Sequence, residues 1–191
     1  GMVDESDLVG FHETARHLWQ TGELTQTLGW KMYLPGFAVL MLPLLVWPMW
    51  LVAPAWAVLN VAVFWWVVRA CGRLACSNAD DVRSTFHARW TLPIVAVFAY
   101  AADSIALGQF NILVLALCVA AYQQSSGSNR RDGLAGLLAG LAAFIKLFPL
   151  LMVGFWLIRG QWKAAITAIL AFGVMAGGLS LAAFGWSGTI E

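Results

Sequence analysis

No charged residue lies between Lys31 and Arg69, and none lies between Lys163 and Glu191. Only Asp103 falls between Arg89 and Arg130, and only Lys146 between Asp132 and Arg159. About 20 helical residues cross a hydrocarbon core, so each stretch is long enough to reach or span one. Backbone groups in lipid must be satisfied within the segment, which selects helices or a closed barrel. A barrel strand alternates polar and apolar residues, and the run Ile112-Leu-Val-Leu-Ala-Leu-Cys-Val-Ala120 does not. The chain is 61% hydrophobic and 11% charged, against about 45–50% and about 25% in soluble domains. The expected fold is therefore all-α, a polytopic transmembrane helical bundle.

The formal net charge of +1 gives no reason to expect a nucleic-acid partner. Cys71 and Cys76 form a C-x4-C pair without a matching second pair, a poor zinc spacing, and with Cys118 they read as free thiols. Asp80-Asp81 is not a D-x-D pair, and no glycine-rich phosphate loop is present. The sequence thus predicts no nucleotide site, no metal and no cofactor.

Residues 1–34 are polar, and 35–191 form one apolar region. In the first part Phe11, Ala15, Leu18 and Trp19 recur at helical spacing, which predicts an amphipathic surface helix ended by Gly22. Pro35, Pro43, Pro48 and Pro54 are too many for one straight helix. They predict a short element over 36–47, a turn from Pro48 to Pro54, and a span over 52–70. A polar loop over 71–90 follows, then a proline-started segment over 91–103 and a helix over 107–123. The stretch Gln123 to Asp132 reads as a surface loop, and 133–158 as an apolar segment interrupted at Lys146 to Pro149. A basic turn over 159–163 leads to a last span over 164–184. Gly136-x-x-x-Gly140 marks a face where another helix approaches closely.

Basic residues collect on the cytoplasmic side of membrane proteins. The loops carrying Arg69 to Arg89, Arg130-Arg131 and Arg159 to Lys163 face the cytoplasm together if 91–123 and 133–158 are hairpins. Their tips, with Asp103, Gly108-Gln109-Phe-Asn111 and Lys146, then face outward with the acidic N-terminal segment. The topology requires 36–47 to be re-entrant or interfacial, or else 36–70 to be a hairpin of two thin spans.

Of 21 charged residues, Asp103 and Lys146 alone interrupt apolar stretches. A lysine inside an apolar segment is costly and usually paired or functional, and its ammonium suits a lipid-linked phosphate. The alternative is snorkelling at the interface. Gln109 and Asn111 both donate and accept hydrogen bonds, as sugar hydroxyls require. Asp103 belongs to the same tip, or caps the helix after it. Asp7 opens the amphipathic helix, where it either caps or acts as a general base. His12 reads by itself as a surface residue.

The order of these motifs resembles glycosyltransferase family 87, polyprenyl-phosphate-sugar-dependent enzymes of the GT-C fold that include mannosyltransferases. The matching residues are Asp7-Leu-Val-Gly-Phe11 with Ala15 and Gly22, then Tyr33-Leu-Pro35, then Gly108-Gln-Phe-Asn-Ile-Leu113. Arg130-Arg131 and Ala135-Gly-Leu-Leu-Ala-Gly-Leu-Ala-Ala-Phe-Ile-Lys146-Leu-Phe-Pro149 complete the set. The resemblance implies a GT-C-like bundle and transfer of a mannose-like sugar, with inversion, on the extracytoplasmic side of the plasma (inner) membrane. The donor would be a polyprenyl-phosphate sugar, and the acceptor a hydroxyl of a glycolipid or glycan. It makes Asp7 the catalytic base. Tyr33, Asp103, Gln109, Asn111, Lys146 and His12 are the substrate-binding candidates. Family members are longer, so the chain reads as part of such an enzyme. The rival reading is a fragment of a transporter or lipid flippase whose polar tips line a path.

Overall fold

The structure, a computed structural model, describes residues 6–22, 36–75 and 91–181, with backbone only for 91–96. Tyr33 therefore lies outside the described residues, as does most of the expected polar loop. Every regular element among the described residues is helical.

Helix α1 spans Asp7–Thr21. Ser6 caps it, its hydroxyl accepting from Val9 N at 3.3 Å. Asp7 is thus the first helical residue rather than the cap. Gly22 ends the helix at φ 73°, where its N–H donates to the Leu18 carbonyl. Leu8, Phe11, Ala15 and Leu18 form the buried stripe, whereas Trp19 is 74% exposed. His12 is not at the surface: one step round the helix from Phe11, it is 5% exposed.

Helix α2 (Gly36–Met41) passes into a 3-10 segment, Leu42–Val46, that begins around Pro43. Helix α3 runs unbroken over Met49–Ala75 and contains Pro54. The expected turn from Pro48 to Pro54 is therefore corrected. Pro54 removes only the bond that its N–H would give to Trp50, and it sits early enough for the following ladder to carry the helix on. The helix also continues past Arg69 and Arg73, which had been assigned to a loop. The Arg69 guanidinium lies 5.0 Å from the Trp65 ring centroid.

Helix α4 (Thr91–Ala106) contains Asp103 in its last turn. Gly108, at φ 68°, reverses the chain into α5 (Asn111–Ser125). Phe110 occupies the N-cap position of α5 without a side-chain cap, so Asp103 does not cap it. Helix α6 (Asp132–Ile145) ends at Lys146, whose backbone is extended at φ −142° and ψ 133°. Pro149 has no N–H to give to the Ile145 carbonyl, and a short 3-10 turn (Phe148–Leu150) replaces the helix there. The chain then continues as α7 (Leu151–Ile158) and α8 (Trp162–Gly173), the latter prolonged through a π-helical turn, Val174–Gly178.

Helix α6 packs on α5 and most extensively on α8. A Cβ at Gly136 would lie 2.4 Å from the Ala164 carbonyl oxygen, and one at Gly140 would lie 2.6 Å from Ala171 Cβ. The small-residue stripe thus brings two backbones together, as expected, and its partner is α8. Ala135, Ala139, Ala164, Ala165, Ala168 and the fully buried Trp156 fill that seam. A second core joins α1, α2, α3, α5 and the end of α6 around Phe11, Phe37, Trp56, Phe110 and Phe144.

Met49–Ala75 and Trp162–Leu181 are long and apolar enough to cross a membrane. Both turn apolar side chains outward, among them Val58, Val61 and Trp65 on the first and Ile166, Ile169 and Leu170 on the second. Apolar surface of that extent marks contact with lipid or protein rather than water. Both are candidate membrane-spanning helices.

Candidate functional site

The first turn of α1 rests on the turn between α4 and α5. Asp7 N donates to the Leu107 carbonyl at 2.8 Å. Gly108 allows the approach: a Cβ there would lie 2.4 Å from Leu8 Cβ and 3.0 Å from Leu8 N. Phe11, one turn after Asp7, meets Phe37 edge-on at 5.3 Å and Phe110 at 5.5 Å. Trp56 closes the group at 4.5 Å from Phe110. Such edge-to-face pairs contribute about 0.5–1.5 kcal/mol each beyond area burial. They seat α1 on three other helices and fix the position of Asp7.

Beside Phe110 the polar groups converge. Lys146 Nζ donates to Asn111 Oδ1 at 2.5 Å. The Asn111 amide nitrogen faces Gln109 Oε1 at 2.5 Å, Tyr100 Oη at 3.0 Å and Ser104 Oγ at 3.2 Å. Its two protons are therefore shared among three acceptors. Asp7 and Lys146 interact electrostatically. A carboxylate, an ammonium and two amides thus come from α1, the break after α6, and the α4–α5 turn. This set offers a base, a cation for a phosphate, and donors and acceptors for hydroxyls.

Four of the expected site residues, Asp7, Gln109, Asn111 and Lys146, are brought together. Asp103 is exposed and makes no hydrogen bond to the cluster; helical geometry turns it away while presenting Ser104. His12 lines a separate groove with Arg16 and the 3-10 segment. Among the described residues no three His, Cys, Asp or Glu side chains gather as a metal site.

A family model, glycosyltransferase family 87, matches residues 32–191. The chain belongs to glycosyltransferase family 87. A relative of this family 87 chain in Mycolicibacterium smegmatis is 33% identical over 144 residues, covering 73% of this chain and 32% of that protein. It is a polyprenol-phosphate-mannose-dependent alpha-(1-2)-phosphatidylinositol pentamannoside mannosyltransferase. The chain spans about a third of the length of that relative. No solved structure matches.

Three residues of this family 87 chain escaped the sequence reading. Tyr100 and Ser104 stand four apart on α4 and so share the face turned to Asn111. Their spacing was visible, but a tyrosine and a serine in an apolar helix are ordinary. Phe110 looked like a spacer within Gly-Gln-Phe-Asn and proves to be the centre of the aromatic cluster.

Proposed function

We propose that the chain is the part of a multi-pass plasma-membrane (inner-membrane) glycosyltransferase that carries the catalytic base and the donor-phosphate cation. The donor is a polyprenyl-phosphate sugar, mannose-like, and the acceptor is a hydroxyl of a glycolipid or glycan on the extracytoplasmic side. Asp7 takes the acceptor proton. The acceptor oxygen then bonds to the anomeric carbon as the bond from that carbon to the phosphate oxygen breaks. Inversion follows from attack opposite the leaving group. Polyprenyl phosphate departs with the bonding electrons, and Lys146 offsets the charge that develops on it. A fixed cation in a water-poor site does this without solvent reorganisation. Gln109 and Asn111 orient sugar hydroxyls, and Tyr33 belongs to the same binding role through its motif.

The single observation that supports this reading most is the convergence of Asp7 with Lys146 and Asn111 from three separate segments. Family membership favours a transferase over a transporter or flippase. The relative acts with polyprenol-phosphate-mannose, which supports the donor class. The test is sugar transfer from a labelled polyprenyl-phosphate mannose by membranes holding the full-length protein. Asp7→Asn is expected to lower transfer at least about 100-fold, the lower end of what a general base contributes. Transfer at the wild-type rate by that variant would remove Asp7 from the chemistry.

A further inference from the structure

Asn111 has more acceptors around it than its amide protons need. Lysine only donates, so the Asn111 atom that Lys146 meets is the carbonyl oxygen. The amide nitrogen is then the end turned to Gln109, Ser104 and Tyr100. Two protons satisfy two of these three, and Gln109 and Ser104 suffice. Tyr100, at 60% exposed, is the acceptor that Asn111 can do without, whereas Ser104 is buried at 1%.

Toward that amide the Tyr100 hydroxyl accepts, so its own proton turns to another side of the oxygen. Among the described residues no acceptor receives it. The oxygen also ends a chain that begins at an ammonium. Lys146 polarises the Asn111 carbonyl, the Asn111 N–H polarises the phenol oxygen, and each link makes the next a stronger donor.

The surroundings of that proton select its partner. Tyr100 and Asn111 line a cleft of about 200 Å³ with Phe64 of α3, Val97 of α4, Ile112 and Leu115 of α5, and Phe148. All the lining side chains other than Tyr100 and Asn111 are apolar. Asn111, held by Lys146, belongs to the cleft, so the cleft adjoins the cation. A sugar ring here would press hydroxyls onto apolar walls, which costs free energy for each one left unpaired. A phosphate ester of a hydrocarbon chain fits, with an oxygen at the hydroxyl and the first carbons against the walls. The volume is below the roughly 300–1,000 Å³ of a whole small-molecule site, as suits one segment of a longer ligand.

We propose that the Tyr100 hydroxyl donates to a phosphate oxygen of the lipid-linked donor, alongside Lys146, with the hydrocarbon next to that phosphate lying in this cleft. Tyr100 is then a second phosphate ligand, one that neither charge nor motif marks. The proposal rests on the sugar-transfer reading and adds to it the residue that ties recognition of the phosphate to recognition of the chain.

Native mass spectrometry of the full-length protein in detergent, with polyprenyl phosphate or uncharged polyprenol added, reads the contact directly. Tyr100→Phe keeps the ring in the cleft and leaves Asn111 two acceptors for its two protons, so it removes the hydroxyl alone. It is expected to weaken polyprenyl phosphate binding about tenfold, the equivalent of 1.4 kcal/mol, and to leave polyprenol unchanged. In membranes it should raise the KM for labelled polyprenyl-phosphate mannose by the same factor. Ser104→Ala also takes an acceptor from Asn111 but does not reach the cleft, so it separates contact from positioning and should cost phosphate binding less. Unchanged polyprenyl phosphate binding in Tyr100→Phe, an equal loss for phosphate and alcohol, or the same loss in Ser104→Ala would each overturn the contact. A phosphate-selective loss in Tyr100→Phe from a wild type that transfers no sugar would keep the contact and remove the transferase reading. Transfer by the wild type with unchanged phosphate binding in the variant would remove the contact alone.

Discussion

Lys146 Nζ donates to Asn111 Oδ1 across 35 positions of sequence, tying the break after α6 to the first residue of α5. The bond turns Oδ1 toward Lys146 and thereby the amide nitrogen toward Gln109, Tyr100 and Ser104. One lysine thereby orders an entire polar face. The α6 break is what allows this. The Lys146 N–H still closes the ladder on the Ala142 carbonyl, but its own backbone is extended where an unbroken helix would hold it at helical φ and ψ.

In the proposed role, replacing Lys146 is expected to act on binding and on chemistry together. Lys146→Met keeps the length and loses the charge. Its KM for the lipid-phosphate donor is expected to rise about tenfold or more, with a fall in kcat where the leaving phosphate loses its counter-charge. Lys146→Arg should recover part of the donor binding. Steady-state transfer at varied donor concentration checks this, and an unchanged KM and kcat in Lys146→Met would exclude the role.

Gly108 supports the site through backbone geometry alone. Gly108→Ala places a side chain at φ 68°, which costs about 1–2 kcal/mol for a left-handed residue. Its Cβ also collides with Leu8. The expected result is a lower melting temperature in detergent and loss of transfer, because α1 and Asp7 move off the α4–α5 turn. Gly127→Ala is the control. That residue has φ 84° and open space around it, so it should show the strain without the loss of transfer.

The side of the membrane is read most directly at Asp103, exposed one residue before the buried Ser104. A cysteine at 103, in a background with the native cysteines replaced, should react with an impermeant maleimide added outside intact cells. Reaction confined to opened cells would reverse the orientation of the proposed site.

The aromatic seat of α1 explains why part of the site was legible and part was not. Gly22, Pro149 and Ser6 act on their own neighbours, so helix ends follow from local chemistry. Pro54 shows the limit of that logic, since a proline near a helix start can be absorbed when the following ladder is long. The stripe Leu8, Phe11, Ala15 was readable from its period, but the period could not assign Trp19 and His12. Adjacent residues lie about 100° apart on a helix. A packing partner of finite width covers one and leaves the other open.

The sequence by itself determined that this is a helical membrane chain, that Gly22 and Pro149 end helical runs, and that Asp103 and Lys146 interrupt apolar stretches. Those properties depend on composition, period and the φ and hydrogen-bond limits of proline and glycine, all local in the chain. Only the tertiary structure decided that Asp7, Asn111 and Lys146 share one site, that Asp103 turns away from it, and that His12 opens into a different groove. Which faces meet is set by the close approach of α6 to α8, by Phe110 beneath α1, and by the turn at Gly108. Those contacts join residues far apart in sequence, and no local preference specifies them.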